Sequence, residues 1–255
     1  MLNFEDDWNE HWGKYAESAA INPAQKYRRD LIYSLLNLSR NPHGCRLLDI
    51  GSGQGDLIAS LHQRFPEVQL LGVELSRSGV EIATGKVSAA TFIERDLLRP
   101  APVSAEHAHW ATHAVCSEVL EHLDSPRTLL ENARAYMTAG CRLVVTVPGG
   151  PRSAFDKHIG HRRHFTPDDL RKLLADAGYI VDAAYGTGFP FFNLYRCVVI
   201  LRGKRLIEDV TGEADRPSSP VARAIMLAFD ILFRLNLRSL RCGWQVVGVA
   251  RNPPA

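Results

Sequence analysis

The stretch Leu47-Leu48-Asp49-Ile50-Gly51-Ser52-Gly53-Gln54-Gly55-Asp56-Leu57 decides the fold. An apolar strand runs into three alternating glycines, and a helix-like segment, Leu57 to Phe65, follows. Glycine lets a backbone turn tightly and approach a ligand with no Cβ in the way. At the carboxyl end of a first strand, such a loop is where doubly wound α/β proteins hold a nucleotide-like ligand. Two carboxylates, Asp49 and Asp56, flank the glycines. They would repel a pyrophosphate placed against the helix N-terminus. They favour a cationic, adenosine-bearing ligand instead.

Outward from this loop, strands and helices alternate. The sequence predicts strands at Arg46–Ser52, Val68–Ser76, Thr91–Leu98, Ala111–Ser117, Arg142–Pro148, Tyr179–Tyr185 and Trp244–Arg251. Helices fit between them at 55–65, 78–87, 125–137 and 166–177. Ser125-Pro126 and Thr166-Pro167 pair a cap residue with proline at the first helical position, and Gly140 and Gly178 read as helix stops. The alternation implies a mostly parallel sheet covered on both faces. Upstream, residues 8–37 read as helical with a break at Pro23, and Trp8, Trp12 and Tyr15 share one face. The pattern lapses between Gly186 and Gly243. There an apolar run from Phe189 to Leu201 leads through a polar linker, Glu208 to Pro220, into a very apolar helix, Val221–Leu237.

Composition sets the outer bounds. The 255 residues are 45% hydrophobic and carry a net charge of +2. That is enough chain for one large domain with a core plus an insertion, and too little charge for a global field that recruits nucleic acid. The five cysteines, at 45, 116, 141, 197 and 242, include no CxxC. They read as small buried residues in a reducing compartment rather than a disulfide frame or zinc site. The N-terminus has no apolar signal core, and no spanning helix is expected, so a cytoplasmic protein, or one peripheral to a membrane, is the expectation.

Two further acids stand at strand ends. Glu74 ends the second strand, at an offset from the glycines suited to ribose hydroxyls. Asp96 ends the third, where a carboxylate meets an adenine amine. At these residues the chain resembles the class I S-adenosylmethionine-dependent methyltransferases, from residue 45 to about 186 and again in the final strand. The resemblance implies a Rossmann-like, doubly wound α/β fold with a mostly parallel seven-stranded sheet. It also implies that Asp49, Gly51, Ser52, Gly53 and Gly55, then Glu74 and Leu75, then Asp96 and Leu97, and Ser117 hold S-adenosylmethionine. A dehydrogenase is the rival, and the GxGxG spacing and the flanking acids speak against it.

The second constellation is Cys116-Ser117-Glu118-Val119-Leu120-Glu121-His122. If the turn is helical, Glu118, Glu121 and His122 share a face at i, i+3 and i+4. The loop after the fifth strand adds His158, His161 and His164. The Glu-x-x-Glu-His segment is similar to that of the ubiquinone-biosynthesis O-methyltransferases and the 3′-terminal small-RNA 2′-O-methyltransferases. That resemblance implies a divalent metal on Glu118, Glu121, His122 and a downstream ligand, for which His161 is the choice and His158 the next. A histidine ligand disfavours Mg²⁺ and suits Mn²⁺, Fe²⁺, Co²⁺ or Zn²⁺. His122, His161 and Glu118 are then the expected catalytic residues, activating an acceptor hydroxyl either through the metal or as a base. The alternative reading is a helix start with solvated acids and loop histidines that only hydrogen-bond.

The chain therefore divides into an N-terminal helical lid (1–44), a cofactor-binding core (45–186), an apolar insertion or lid (187–242) and a last strand with its tail (243–255). Rings on both lids, Trp8, Trp12, Tyr15 and Tyr27 on one and Phe189, Phe191, Phe192 and Tyr195 on the other, suit a small apolar or aromatic acceptor. They equally suit packing of the lids onto the core. Arg28 and Arg29 are weaker candidates for the ligand's carboxylate. The helix 221–237 is expected to be buried in the lid or in a homodimer interface, with peripheral membrane contact as the second reading. The predicted activity is O-methylation of a small molecule from S-adenosylmethionine. A metal-free N- or sugar methyltransferase with a histidine base, an RNA 2′-O-methyltransferase and a non-catalytic S-adenosylmethionine-binding partner subunit are the rivals. Nucleic acid is not an expected partner, because no basic surface is evident.

Overall fold

A computed structural model describes residues 23–38, 43–211, 220–237 and 241–254, without the side chains of 204–211 and 220–223. Trp8, Trp12 and Tyr15, most of the Glu208–Pro220 linker and Arg238 lie outside the described residues.

The sheet is built from β1 (Arg46–Ile50), β2 (Gln69–Glu74), β3 (Thr91–Glu94), β4 (Ala111–Ser117), β5 (Met137–Pro148), β6 (Ile180–Thr187) and β7 (Gln245–Arg251). Its order is β3-β2-β1-β4-β5-β7-β6. β1 pairs in parallel with both β2 and β4, and β7 runs antiparallel between β5 and β6. The central strand is apolar on both faces, with Leu47, Leu48 and Ile50 fully buried, as helices on both sides require. The strand order reverses between β1 and β4. This is the switch point where ligands settle outside the carboxyl ends of the strands.

The core helices are α2 (Asp56–Arg64), α3 (Arg77–Lys86), α4 (Pro126–Ala133), α5 (Ala154–His158) and α6 (Pro167–Asp176), all C-terminal to a first helix α1 (Pro23–Leu36). Thr166 forms the expected cap of α6 as a full capping box with Asp169, and Gly178 ends it at φ 84°. One punctuation mark reads differently. Gly140 does not stop a helix; it lies inside β5, with its N–H donated to the Asn252 carbonyl at 2.9 Å. The helix has already ended at Ala133, and the chain pairs with β4 from Met137 onward. β3 is likewise shorter than predicted, so Asp96 stands in the loop beyond it.

The lid consists of α1, α7 (Phe191–Thr211, interrupted at Gly203) and α8 (Pro220–Leu232) followed by a 3₁₀ turn, Phe233–Leu235. Tyr27, Phe192, Tyr195, Phe229 and Phe233 form an aromatic cluster between these helices. For Phe192, 3% exposed, the packing role holds. Within a single chain, the burial expected for the 221–237 helix is partial. Phe229 and Phe233 fill the cluster, while Leu227, Ile231 and Leu235 are 66%, 61% and 64% exposed. A helix apolar all round cannot cover its whole circumference with one face against the core.

Candidate functional site

The glycine loop leaves β1 beneath Val73, whose carbonyl accepts the N–H groups of Gly51 and Ser52. Gly51 has φ 73°, and a Cβ there would sit 2.6 Å from Val119 Cγ2. Only glycine fits that approach, because both the dihedral and the space exclude a side chain. The Gly53 N–H donates to Glu74 Oε2 at 2.8 Å, and Ser76 N–H donates to Glu74 Oε1 at 2.9 Å. Glu74 thus ties the loop to the end of β2 and keeps further lone pairs on both oxygens for hydroxyl donors. Burial pushes the Glu74 carboxyl up, and the Ser76 and Gly53 N–H groups oppose that rise.

Asp49 lies under the loop, 3% exposed. Burial, and then the charge of Glu74, push its carboxyl up to about 7. Such a pair welcomes a positive ligand group, which stabilises both ionised forms. Asp96 accepts the Leu98 N–H on Oδ1 at 2.8 Å and pairs with Arg99 through Oδ2 at 3.1 Å. Leu75 is half exposed and Leu97 is buried, so Leu75 offers an apolar shelf beside Glu74. The Ser52 hydroxyl is buried with no partner among the described residues. Ser117 bonds to Thr146 at 2.9 Å, within the sheet.

The turn after β4 is not α-helical. Glu118 has φ 58°, and a single 3₁₀ turn, Leu120–His122, follows. The expected i, i+3, i+4 face is therefore split. The Glu118 carboxylate accepts from Thr146 Oγ1 at 3.1 Å and Gln245 Nε2 at 3.0 Å and pairs with Arg28 at 3.1 Å. It belongs to neither of the two clusters of potential metal ligands among the described residues. Glu121, His122 and His161 form the first of these; Asp156, His161 and His164 form the second.

Glu121 is fully buried, and neither carboxyl oxygen has a hydrogen-bond partner among the described residues. Burial, with the charge of Glu118 adding to it, drives its carboxyl well above the usual range. His161 Nε2 stands 3.9 Å from Glu121 Oε1, and His122 Nε2 4.0 Å from it. Hydrogen bonds assign the tautomers. His164 Nδ1 lies 2.9 Å from the Gly150 carbonyl, so it carries the proton and leaves Nε2 as an acceptor. His161 Nδ1, 3.2 Å from that Nε2, is then the donor, and the His161 Nε2 lone pair faces Glu121. Burial and the neighbouring His122 depress His161 to about 3, which keeps it neutral. Two acceptors facing each other across such a gap need a proton or a cation between them. The residues fit a divalent ion held by one carboxylate and two imidazoles.

The loop after β5 is fixed from several sides. Arg162 N–H donates to the Glu121 carbonyl at 2.8 Å, and the Arg162 guanidinium bonds to Asp124. Asp156 forms a capping box with Ser153 and accepts both guanidinium nitrogens of Arg196, at 3.1 and 2.7 Å. Although burial alone would raise Asp156, Arg196 and Ser153 hold it down at about 2. Of the predicted ligands, Glu121, His122 and His161 come together. His158 is exposed at the end of α5, and His164 takes the place beside His161. Sequence reading missed Asp156, Arg196 and Gln245. The Ser153-x-x-Asp156 capping pattern was a visible signal for the first; the other two come from distant elements.

Comparison with known proteins supports the same frame. A family model described as "Methyltransferase domain" matches residues 24–184. A trans-aconitate 2-methyltransferase of Yersinia pestis (strain Pestoides F) is 33% identical over 63 residues, 25% of this chain and 24% of that protein. The match thus spans about a quarter of that relative's length. The [4+2]-cyclase SpnF superposes with a TM-score of 0.60 at 20% identity, covering 91% of this chain and 83% of that one. Geranyl diphosphate C-methyltransferase from Streptomyces coelicolor A3(2) superposes with a TM-score of 0.55 at 14% identity, covering 89% and 80%. A cyclase and a C-methyltransferase on one fold show that the fold alone does not choose the reaction.

Proposed function

This chain belongs to the methyltransferase-domain family, and on that premise we propose that it transfers a methyl group from S-adenosylmethionine to a hydroxyl oxygen of a small molecule. We place the acceptor beside Glu121, His122 and His161. When bound, the sulfonium supplies an electrophilic methyl group, and a divalent ion lowers the pKa of a hydroxyl. Asp49 and Glu74 supply negative charge around the glycine loop, and Glu74 is oriented by Gly53 and Ser76 for ribose hydroxyls. Asp96 stands beyond β3 for the adenine amine. Arg28 reaches the ligand edge from the lid, where it holds Glu118. Glu121, His122 and His161 are the groups that would hold the ion. Attack by the acceptor oxygen forms a carbon–oxygen bond, the carbon–sulfur pair returns to sulfur as S-adenosylhomocysteine leaves, and the hydroxyl proton passes to a base.

The observation that carries the acceptor half is Glu121, fully buried with both oxygens unpartnered among the described residues and the His161 Nε2 lone pair turned toward it. The same lone pair supports a second, metal-free reading, in which His161 takes the acceptor proton itself and nitrogen or sugar acceptors come into play. The test is titration of S-adenosylhomocysteine into metal-stripped protein, repeated with Mn²⁺, Zn²⁺ and Mg²⁺, with metal content assayed as purified. Stoichiometric metal that disappears in Glu121→Ala supports the metal-assisted reading. Cofactor binding with no metal moves His161 to the base role, and no cofactor binding at all removes the proposal.

A further inference from the structure

The two C-terminal lid helices turn apolar side chains outward. On α7, Leu194, Val198 and Leu201 stand at i, i+4 and i+7 and share one stripe, and Leu201 is 86% exposed. On α8 and its 3₁₀ extension, Ile225, Leu227, Ile231 and Leu235 are exposed, with exposed Ala224 and Ala228 beside them. Tyr195 packs on Phe229 and Phe233, so both stripes belong to one lid. Apolar surface of this extent marks an interaction site.

The charges around it narrow the partner. Arg202 directly follows Leu201 and is exposed, as is Arg241. Arg234, its side chain 72% exposed, precedes Leu235. Among the described side chains of the two C-terminal lid helices and of 241–244, the acid is Asp230, which is engaged by Lys26 at 2.6 Å and lies 4.0 Å from the Arg234 guanidinium. A second copy of the chain fits poorly. An isologous contact would set arginine rim against arginine rim, and the acid among the described side chains of this face, Asp230, is already engaged by Lys26. Leucine and isoleucine stripes edged by arginine suit an anionic bilayer, with the apolar side chains at the acyl boundary and guanidinium groups among headgroup phosphates.

We propose that the outward face of α7 and α8 is a docking surface for an anionic lipid bilayer, on which the chain lies peripherally. No helix among the described residues is long and apolar enough to cross a membrane, so the contact is interfacial. The docked helix α7 also carries Arg196, whose grip on Asp156 connects this surface to the histidine loop. The inference does not depend on methyl transfer.

The test uses the full chain and extruded vesicles of phosphatidylcholine, alone or mixed with phosphatidylglycerol, read by co-sedimentation. Binding to the mixed vesicles is expected, and weakening with added salt. Ile231→Asp combined with Leu235→Asp lowers the partition coefficient by roughly tenfold or more. Arg234→Glu lowers it several-fold on the mixed vesicles alone. These positions are exposed, and retained thermal stability and S-adenosylhomocysteine binding check that the variants fold. No sedimentation with mixed vesicles at low salt overturns the proposal, as does binding that the double variant retains. A dimer dissolved by the double variant, with no vesicle binding, assigns the face to a second copy and overturns it too. Loss of S-adenosylhomocysteine binding in the unaltered chain would count against the proposed activity and leave this surface standing.

Discussion

At the scale of single residues, the site holds acids that the fold alone would not favour. Asp49 is pushed up to about 7 by burial and by Glu74. A carboxyl whose folded value is raised contributes stability fully present below its unfolded value of about 4 and lost as pH rises through about 7. At about pH 8 the ligand-free protein therefore carries an unfavourable buried charge there. Asp49→Asn removes it. We predict a higher melting temperature than the unaltered chain at about pH 8, a difference that closes toward about pH 5, and weaker S-adenosylhomocysteine binding in calorimetry. A melting temperature at pH 8 unchanged or lowered by the substitution would contradict this. Gly51 gives a second residue-level prediction. Gly51→Ala must place a Cβ at φ 73° and 2.6 Å from Val119. A destabilisation on the order of 1–3 kcal/mol is expected in urea melts. Val119→Ala should recover only the steric share, because the dihedral strain remains.

At the scale of elements, legibility follows from sequence distance. The glycine loop follows β1, Glu74 ends β2 and Asp96 lies just beyond β3, and strand ends on one side of a parallel sheet converge whatever the lids do. They were readable from pattern alone. The turn after β4 was not, since a positive φ at Glu118 leaves no mark in composition, and it sends Glu118 to Arg28 and Gln245 while Glu121 and His122 turn to His161. Nor was the Asp156–Arg196 pair legible, because its partners lie 40 residues apart and meet only when α7 docks. That pair clamps α7 to the histidine loop. Arg196→Met leaves Asp156 buried without its cation and should cost about 3 kcal/mol near neutral pH. Asp156 is held low, so the stability it contributes is present above its unfolded value near 4 and lost as pH falls through about 2. The gap between the two proteins in urea melts should therefore close across roughly pH 4 to 2. A gap that stays constant through that window would mean that Arg196 acts by packing alone.

At the scale of the whole molecule, the expected architecture and the observed one coincide in a seven-stranded, mostly parallel sheet with helices packed against it. They part at the lid, because periodicity reports that a helix is apolar and not which face its neighbours leave bare. Leu227 and Ile231 look identical in sequence to Phe229 and Phe233, yet only the aromatic pair is buried. The lid and core also meet through polar contacts, Arg28 with Glu118 and Arg142 with the Leu35 carbonyl. Binding confined to the folded state raises its stability by about 2.7 kcal/mol at a hundredfold excess over Kd. For a chain of this length that corresponds to a melting-temperature rise of roughly 5–10 °C with S-adenosylhomocysteine. The rise should be larger at about pH 8 than at about pH 6, because Asp49 is ionised only above about 7 and its charge is what a cationic methionine group meets. Glu121→Gln should leave the rise intact while removing bound metal, since Glu121 faces His122 and His161 whereas the glycine loop is tied to Glu74. If Glu121→Gln abolished the rise as completely as Asp49→Asn, cofactor and acceptor halves would be one coupled site, and the division of labour between β1–β2 and the β4–β5 loops would have to be redrawn.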